Sequence, residues 1–367
     1  AILDGLLSRY GIGRIVVSSL VGHSLDALAT GRPTLQVLHD YFPRWPLLGI
    51  HPLPYLRADA AVDLERATGE HPLLPEFRDH DAAGWLALGE RWRETVQARG
   101  VRLVAPSHSV VDLLRRLDPA WAGSAVEVIP HGLPPLPGAA EVLPRARADG
   151  RLRIVVPGRI QEGKGQQLLL AALPELTRHA RVCLLGAGKA GEVFFGRPGV
   201  DVVIQYRRDE LRDLLATIGP HAAALLSIVP ETFSFTLSEM QQLGIPVIAT
   251  RVGSLAERIV DDETGWLIEP DARALVDRVR ELAADPARIE RVRRRLGQLE
   301  PQDARHMVQR YAALLAPRDG RRDIGRPADP AAAQLSALAF QNRELGALNR
   351  QRVAQAAALQ DEVDERP

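Results

Sequence analysis

One cysteine, Cys183, occurs in 367 residues, and it sits in an apolar run. A lone thiol excludes an internal disulfide and suits a reducing compartment, where a buried thiol behaves as a small hydrophobe. Charge imbalance is also lacking, since Lys+Arg and Asp+Glu both number 46. Without a net field, nothing in the bulk charge draws the chain to nucleic acid, and no nucleic-acid partner is expected. No run of 18 apolar residues occurs and no charged-then-apolar leader opens the chain, which argues against a membrane span and against secretion. The expected location is cytoplasmic, compatible with peripheral contact at the inner face of a membrane. Lysine is scarce as well: Lys164 and Lys189 are the only two, against a background of arginine.

What is present is enough for two compact domains, because single cores seldom grow past a few hundred residues. Short β-branched or apolar runs alternate with longer helical patterns at 14–18, 34–38, 101–105 and 126–129, then at 152–156, 182–185, 200–204, 222–229, 246–250 and 265–268. Such alternation predicts α/β architecture with parallel, doubly wound sheets. Prolines and glycines break all periodicity over 134–150, so an interdomain hinge is expected there. The expected division is an amino-terminal domain over 1–140, a second domain over 141–316, a polar, proline-rich linker over 317–330 and a helical segment over 331–367. In that last segment Leu335, Asn342, Asn349, Ala356 and Val363 recur every seven residues, a coiled-coil spacing that would support a homodimer. The first domain reads as short by its opening units. No strand and glycine-rich turn precede Ala1, and the chain enters a helix-like pattern midway, so the sequence is expected to be an amino-terminally incomplete fragment.

Two stretches of the second domain carry chemistry. The apolar run through Val156 ends in Gly158 and Arg159, followed by Gly163, Lys164 and Gly165 ahead of a helical pattern. Two cations on a glycine-containing loop at the carboxyl end of a strand suit a diphosphate, because open α/β sheets bind ligands at that edge. The second stretch is an apolar strand, then Glu231-Thr232-Phe233-Ser234-Phe235-Thr236-Leu237-Ser238-Glu239, then a helix closed at Gly244. Ser234 or Thr236 is placed to cap that helix, leaving backbone N–H groups and the positive end of the dipole for a phosphate. Glu231 and Glu239 would then face different parts of one ligand. A third stretch, Arg251 to Ile268, reads as scaffold on physical grounds.

Together these motifs make the sequence resemble the family-4 glycosyltransferases: Gly158-Arg159, Lys164-Gly165, Glu231 and Glu239 eight positions apart, Gly244-Ile245-Pro246-Val247, and Gly253 followed by Glu257. The resemblance runs from roughly Gly13 to Leu315. It implies a GT-B fold, two Rossmann-like doubly wound domains facing a cleft, and a retaining, metal-independent transfer of a hexose from a UDP- or GDP-linked donor to a saccharide or lipid-linked acceptor in bacterial polysaccharide or lipopolysaccharide assembly. Arg159 and Lys164 would stabilise the leaving diphosphate, Glu231 the sugar hydroxyls and Glu239 the ribose, with Gly158 and the segment Phe233, Ser234, Phe235, Thr236 and Leu237 around the donor. His39, at the end of a strand in the first domain, resembles the family's cleft histidine. Where Ser234 stands, many relatives have glycine, so the backbone's approach to the sugar is expected to differ. A non-catalytic nucleotide-binding module dimerising through 331–367 is the alternative reading.

Other signals are set aside. Gly186, Gly188 and Gly191 fit a dinucleotide fingerprint, but Gly196 and Pro198 interrupt the helix that should follow. Asp79-His80-Asp81 has the form of a metal motif but lacks a preceding strand, and the histidines lack ligand spacing, so no metal site or further cofactor is proposed.

Overall fold

The computed structural model describes residues 2–316 apart from 58, 72, 74–76, 78, 79, 135, 137–141, 146–148, 301 and 302. The expected linker, the heptad segment and much of the expected hinge therefore lie outside the described residues, as does Asp79. The chain divides into two units. One includes helix α1 (Ile2–Arg9), and the other, Val16–Ala316, carries both sheets but for the first residue of β1.

All ten runs expected to be strands are strands. The first sheet takes β1 (Ile15–Val17), β2 (Thr34–Val37), β3 (Arg102–Ala105) and β4 (Val126–Val128) in the order β1-β2-β3-β4. β2 is buried along its whole length, and both its polar side chains are satisfied: Gln36 accepts from the indole N–H of Trp92 at 2.9 Å, and the Thr34 hydroxyl donates to Arg32 O at 2.8 Å. Helices α2 (Ala60–Glu70), α3 (Ala82–Arg99) and α4 (His108–Leu117) follow this sheet's strands. Asp81 begins α3 by accepting from the Gly84 N–H at 2.8 Å, which gives that residue an ordinary capping role.

The second sheet is six-stranded and parallel: β5 (Leu152–Pro157), β6 (Ala180–Leu185), β7 (Val200–Val203), β8 (Ala222–Leu225), β9 (Val247–Thr250) and β10 (Trp266–Ile268), in the order β10-β9-β8-β5-β6-β7. The winding reverses between β5 and β8. A crevice opens at the carboxyl ends of two strands that diverge in this way, and ligands of open α/β sheets bind there. Helices α5 (Gln166–His179), α9 (Ala272–Ala284) and α10 (Pro286–Leu296) cover one face through Leu169, Leu176, Val279 and Val292. On the other face α6 (Leu211–Ile218), α7 (Phe235–Gln242) and α8 (Gly253–Arg258) pack through Leu215, Met240 and Leu255. The last described helix, α11 (Ala304–Leu314), returns to the first sheet, where Met307, Tyr311 and Leu314 pack against Leu35, Val37 and Val104. Among the described residues no helix is long and apolar enough to cross a membrane.

Candidate active site

Both chemistry-bearing loops leave the sheet at the switch point. The loop after β5 is laced to the loop after β6: Gly158 N–H donates to Leu185 O at 2.8 Å and Ile160 N–H to Ala187 O at 3.0 Å. A single 3-10 turn, Glu162–Lys164, then hands the chain to α5 through Gly165 at φ 80°. A Cβ on Gly165 would lie 2.2 Å from the carbonyl oxygen of Leu226, so only glycine lets the start of α5 rest on the end of β8. That approach puts Lys164 over the loop that follows β8.

There the Lys164 ammonium lies 2.8 Å from Glu231 Oε1, and the Ser227 hydroxyl donates to the same oxygen. Burial works to raise the Glu231 pKa, but Lys164, Ser227 and Ser234 together outweigh it and hold the carboxyl below its ordinary value. Glu231 is nearly buried while Lys164 is about half exposed, so the ammonium is free to swing toward a ligand without uncovering the carboxylate. Gly253 fixes the other side of this loop, since a Cβ there would meet Pro230 Cα at 2.7 Å.

Two cavities meet at this point with Gln161 in both walls. The larger, about 1120 Å³, is lined by Gly158, Arg159, Gly188, Lys189 and Tyr206. The smaller, about 300 Å³, is lined by His39, Trp45, Lys164, Glu231, Thr232 and Ser234. Arg159 is exposed and has no ion-pair partner among the described residues. The structure thus brings Arg159, Lys164, Glu231, His39, Gly158 and Ser234 to two adjoining cavities.

The remaining expected residues are placed differently. Phe233 and Leu237 are 2% and 0% exposed, so their side chains belong to the core and only their backbone can meet a ligand. Thr236 borders Gly158, and the exposed Phe235 stacks on His131 rather than lining either cavity. Glu239 stands outside both linings and pairs with Arg208 at 3.2 Å; burial raises its pKa, with Arg208 acting against that. Ser234 does begin α7, but at φ 67° and without a side-chain cap, because its hydroxyl serves Glu231 instead.

Several functional contacts were not visible in the sequence. Arg258, in the stretch read as scaffold, donates to the carbonyls of Phe233 at 2.5 Å and Ser234 at 3.0 Å and to the Ser238 hydroxyl at 2.6 Å, with its guanidinium 3.9 Å from the Phe233 ring centroid. Burial pulls its pKa down to about 10, with Glu257 and Glu231 opposing. By holding those carbonyls, Arg258 fixes the plane of the peptides that begin α7. Glu257 reaches the other sheet's domain, accepting from the His108 and Ser109 N–H groups at 3.0 and 2.8 Å at the start of α4. Ser107 donates to Thr232 O at 2.8 Å, and Thr232 to His39 O at 3.1 Å. The loop set aside as a dinucleotide motif has no long helix after it, yet Gly188 and Lys189 line the larger cavity.

Two Rossmann-like sheets with a crevice between them constitute the GT-B architecture. Residues 151–285, a stretch that holds the whole second sheet, match the family model for glycosyl transferases group 1. The chain is 30% identical over 181 residues to a D-inositol 3-phosphate glycosyltransferase of Arthrobacter sp. (strain FB24), covering 44% of this chain and 42% of that protein. It is 26% identical over 277 residues to a GDP-mannose-dependent alpha-(1-6)-phosphatidylinositol monomannoside mannosyltransferase of Mycolicibacterium smegmatis, covering 66% of this chain and 70% of that one. The chain spans about half the length of the first such relatives. Sucrose-phosphate synthase from Thermosynechococcus elongatus shares the fold, with a TM-score of 0.55 at 20% identity over 85% of this chain and 75% of that one.

Proposed function

We propose that this crevice transfers a hexose from a nucleotide sugar to a saccharide or lipid-linked saccharide acceptor, with retention at the anomeric carbon and without a metal ion. The observation that carries the reading is the convergence of Lys164 and Glu231 at the switch point, beside Arg159, which has no ion-pair partner among the described residues. In this reading the nucleoside diphosphate occupies the larger cavity and the sugar the smaller. The bond between the anomeric carbon and the diphosphate oxygen breaks as Arg159 and Lys164 take up the developing negative charge, the part a divalent cation plays in other transferases. The acceptor hydroxyl attacks from the face the phosphate leaves, and its proton passes to the departing phosphate oxygen. Glu231 holds the sugar hydroxyls from below, His39 borders the same space, and no protein nucleophile is assigned. Glu239 reaches the ribose once Arg208 releases it.

The GDP-mannose dependence of the mycolicibacterial relative supports a nucleotide-sugar donor, GDP- or UDP-linked. Assembly of a bacterial surface polysaccharide or lipopolysaccharide is the role proposed for the whole protein, by analogy with the family-4 pattern. The test is turnover with radiolabelled UDP-glucose and GDP-mannose in the presence of a chelator. Undiminished turnover and an α-linked product from an α-linked donor are expected, with a loss of about a hundredfold or more in Lys164→Ala and Glu231→Ala. Turnover that needs an added divalent cation, or an inverted product, defeats the mechanism.

A further inference from the structure

His131 follows β4 on a loop whose next residue, Gly132, would place a Cβ 2.3 Å from the backbone of Ala304, so the start of α11 pins the loop in place. Its ring is inserted between the two halves of the crevice. On one side it stacks on His39, with centroids 4.8 Å apart and planes at 29°. On the other it stacks on Phe235 of α7, at 5.2 Å and 13°, and it meets Phe233 edge-on at 5.0 Å. A column of three rings, His39, His131 and Phe235, therefore runs from the first sheet to the helix that follows Glu231. His131 is 5% exposed, and its Nε2 has no hydrogen-bond partner among the described residues. Faces and edges of four rings meet here, so the shape and polarisability of the imidazole are what it offers its neighbours.

We infer that His131 is a positioning residue: its ring fixes the orientation of His39 toward the sugar cavity and ties that orientation to the position of α7. Two other contacts make the arrangement directional. The Ser18 hydroxyl is hydrogen-bonded to His39 Nε2 at 3.1 Å, so the outer edge of the His39 ring is held while His131 supports its face. Arg258 stands over Phe233, which meets both His131 and Phe235 edge-on, and it donates to the peptides that begin α7. Protonation of His131 would set a second charge against His39 and Arg258 in a buried space; burial, His39 and Arg258 hold its pKa down to about 4, and the ring stays neutral. The inference rests on the proposed glycosyl transfer for its kinetic consequence, but not for its structural one.

The test compares His131→Ala with His131→Phe in the full chain, reading steady-state kinetics and the imidazole resonances of selectively labelled histidine. In His131→Ala, kcat is expected to fall about tenfold with little change in KM for the nucleotide sugar, and the His39 resonance to move as its stacking partner is lost. In His131→Phe, which keeps a ring of similar size, both are expected to return to near wild-type values. If His131→Ala does not fold, the phenylalanine variant alone decides. A His39 resonance that does not move in the alanine variant, or a phenylalanine variant as slow as the alanine one, overturns the inference. Should the wild-type chain show no glycosyl transfer at all, the proposed function fails while the resonance comparison still decides the positioning role.

Discussion

Removing Lys164 should leave a charge stranded. Its ammonium sits 2.8 Å from Glu231 Oε1, with the two side chains 43% and 13% exposed. At that distance the bare attraction is about 6 kcal/mol for an effective dielectric near 20. Solvent around the ammonium screens much of this. Exposed pairs contribute roughly 0–1 kcal/mol, and breaking a buried pair costs about 3–5 kcal/mol. This half-exposed pair falls between, so Lys164→Ala should cost about 2 kcal/mol, softened by the serines that still donate to Glu231. For a domain of the second sheet's size, a loss of that magnitude lowers Tm by roughly 4–8 °C. Because the folded carboxyl is held below its unfolded value, its contribution is present above about pH 4.5 and is lost as pH falls through the folded pKa. The assay is a double-mutant cycle of Lys164→Ala and Glu231→Gln by denaturant unfolding at neutral and acid pH. A coupling of about 1–2 kcal/mol at pH 7 that vanishes in acid is expected. Additivity within about 0.5 kcal/mol at pH 7 would refute the pair as an energetic unit.

Three other outcomes follow from the same contacts. Arg258→Ala leaves two carbonyls and a hydroxyl without their donor, at about 1–3 kcal/mol for each buried group unsatisfied, and water entry should limit the total to about 3 kcal/mol. Thermal unfolding of Arg258→Lys should recover only part of this, since an ammonium cannot reproduce the guanidinium fork; full recovery would contradict the clamp. Glu257→Ala should speed hydrogen exchange of the His108 and Ser109 amides while leaving the α5 amides unchanged, and equal protection in both proteins would show that the carboxylate does not hold that helix start. Burial, aided by Asp201, pushes the Cys183 thiol up to about 11. Only about one thiol in a thousand is then ionised at pH 8, and disulfide reagents should label the native protein at the unfolding rate; rapid labelling would refute it.

The fold was largely legible because both sheets are built from short apolar runs separated by turn residues, a pattern that needs no knowledge of partners. β8 was the instructive boundary. The apolar run reaches Val229, but the strand stops at Leu225, since the backbone beyond it turns to place Ser227 and Glu231 beneath Lys164. Lys164 and Glu231 could be found because each follows a strand at a glycine- or proline-marked turn. The contacts of Arg258, Glu257 and His131 could not, although Glu257 belongs to the family pattern, because their partners lie 20 or more residues away and include backbone groups that carry no side-chain signature. Ser234 misled for a related reason. Its type suits a helix cap, but at φ 67° its hydroxyl is turned away from the helix amides.

Whether Arg159, Lys164 and Glu231 meet on one sugar diphosphate is decided by calorimetric titration of UDP, GDP, UDP-glucose and GDP-mannose into the wild type and the three alanine variants. Arg159→Ala and Lys164→Ala should weaken binding of the free diphosphate. Glu231→Ala should leave the diphosphate bound but abolish the extra affinity conferred by the sugar. Diphosphate binding indifferent to both cations, or a sugar increment that survives loss of Glu231, would contradict the account.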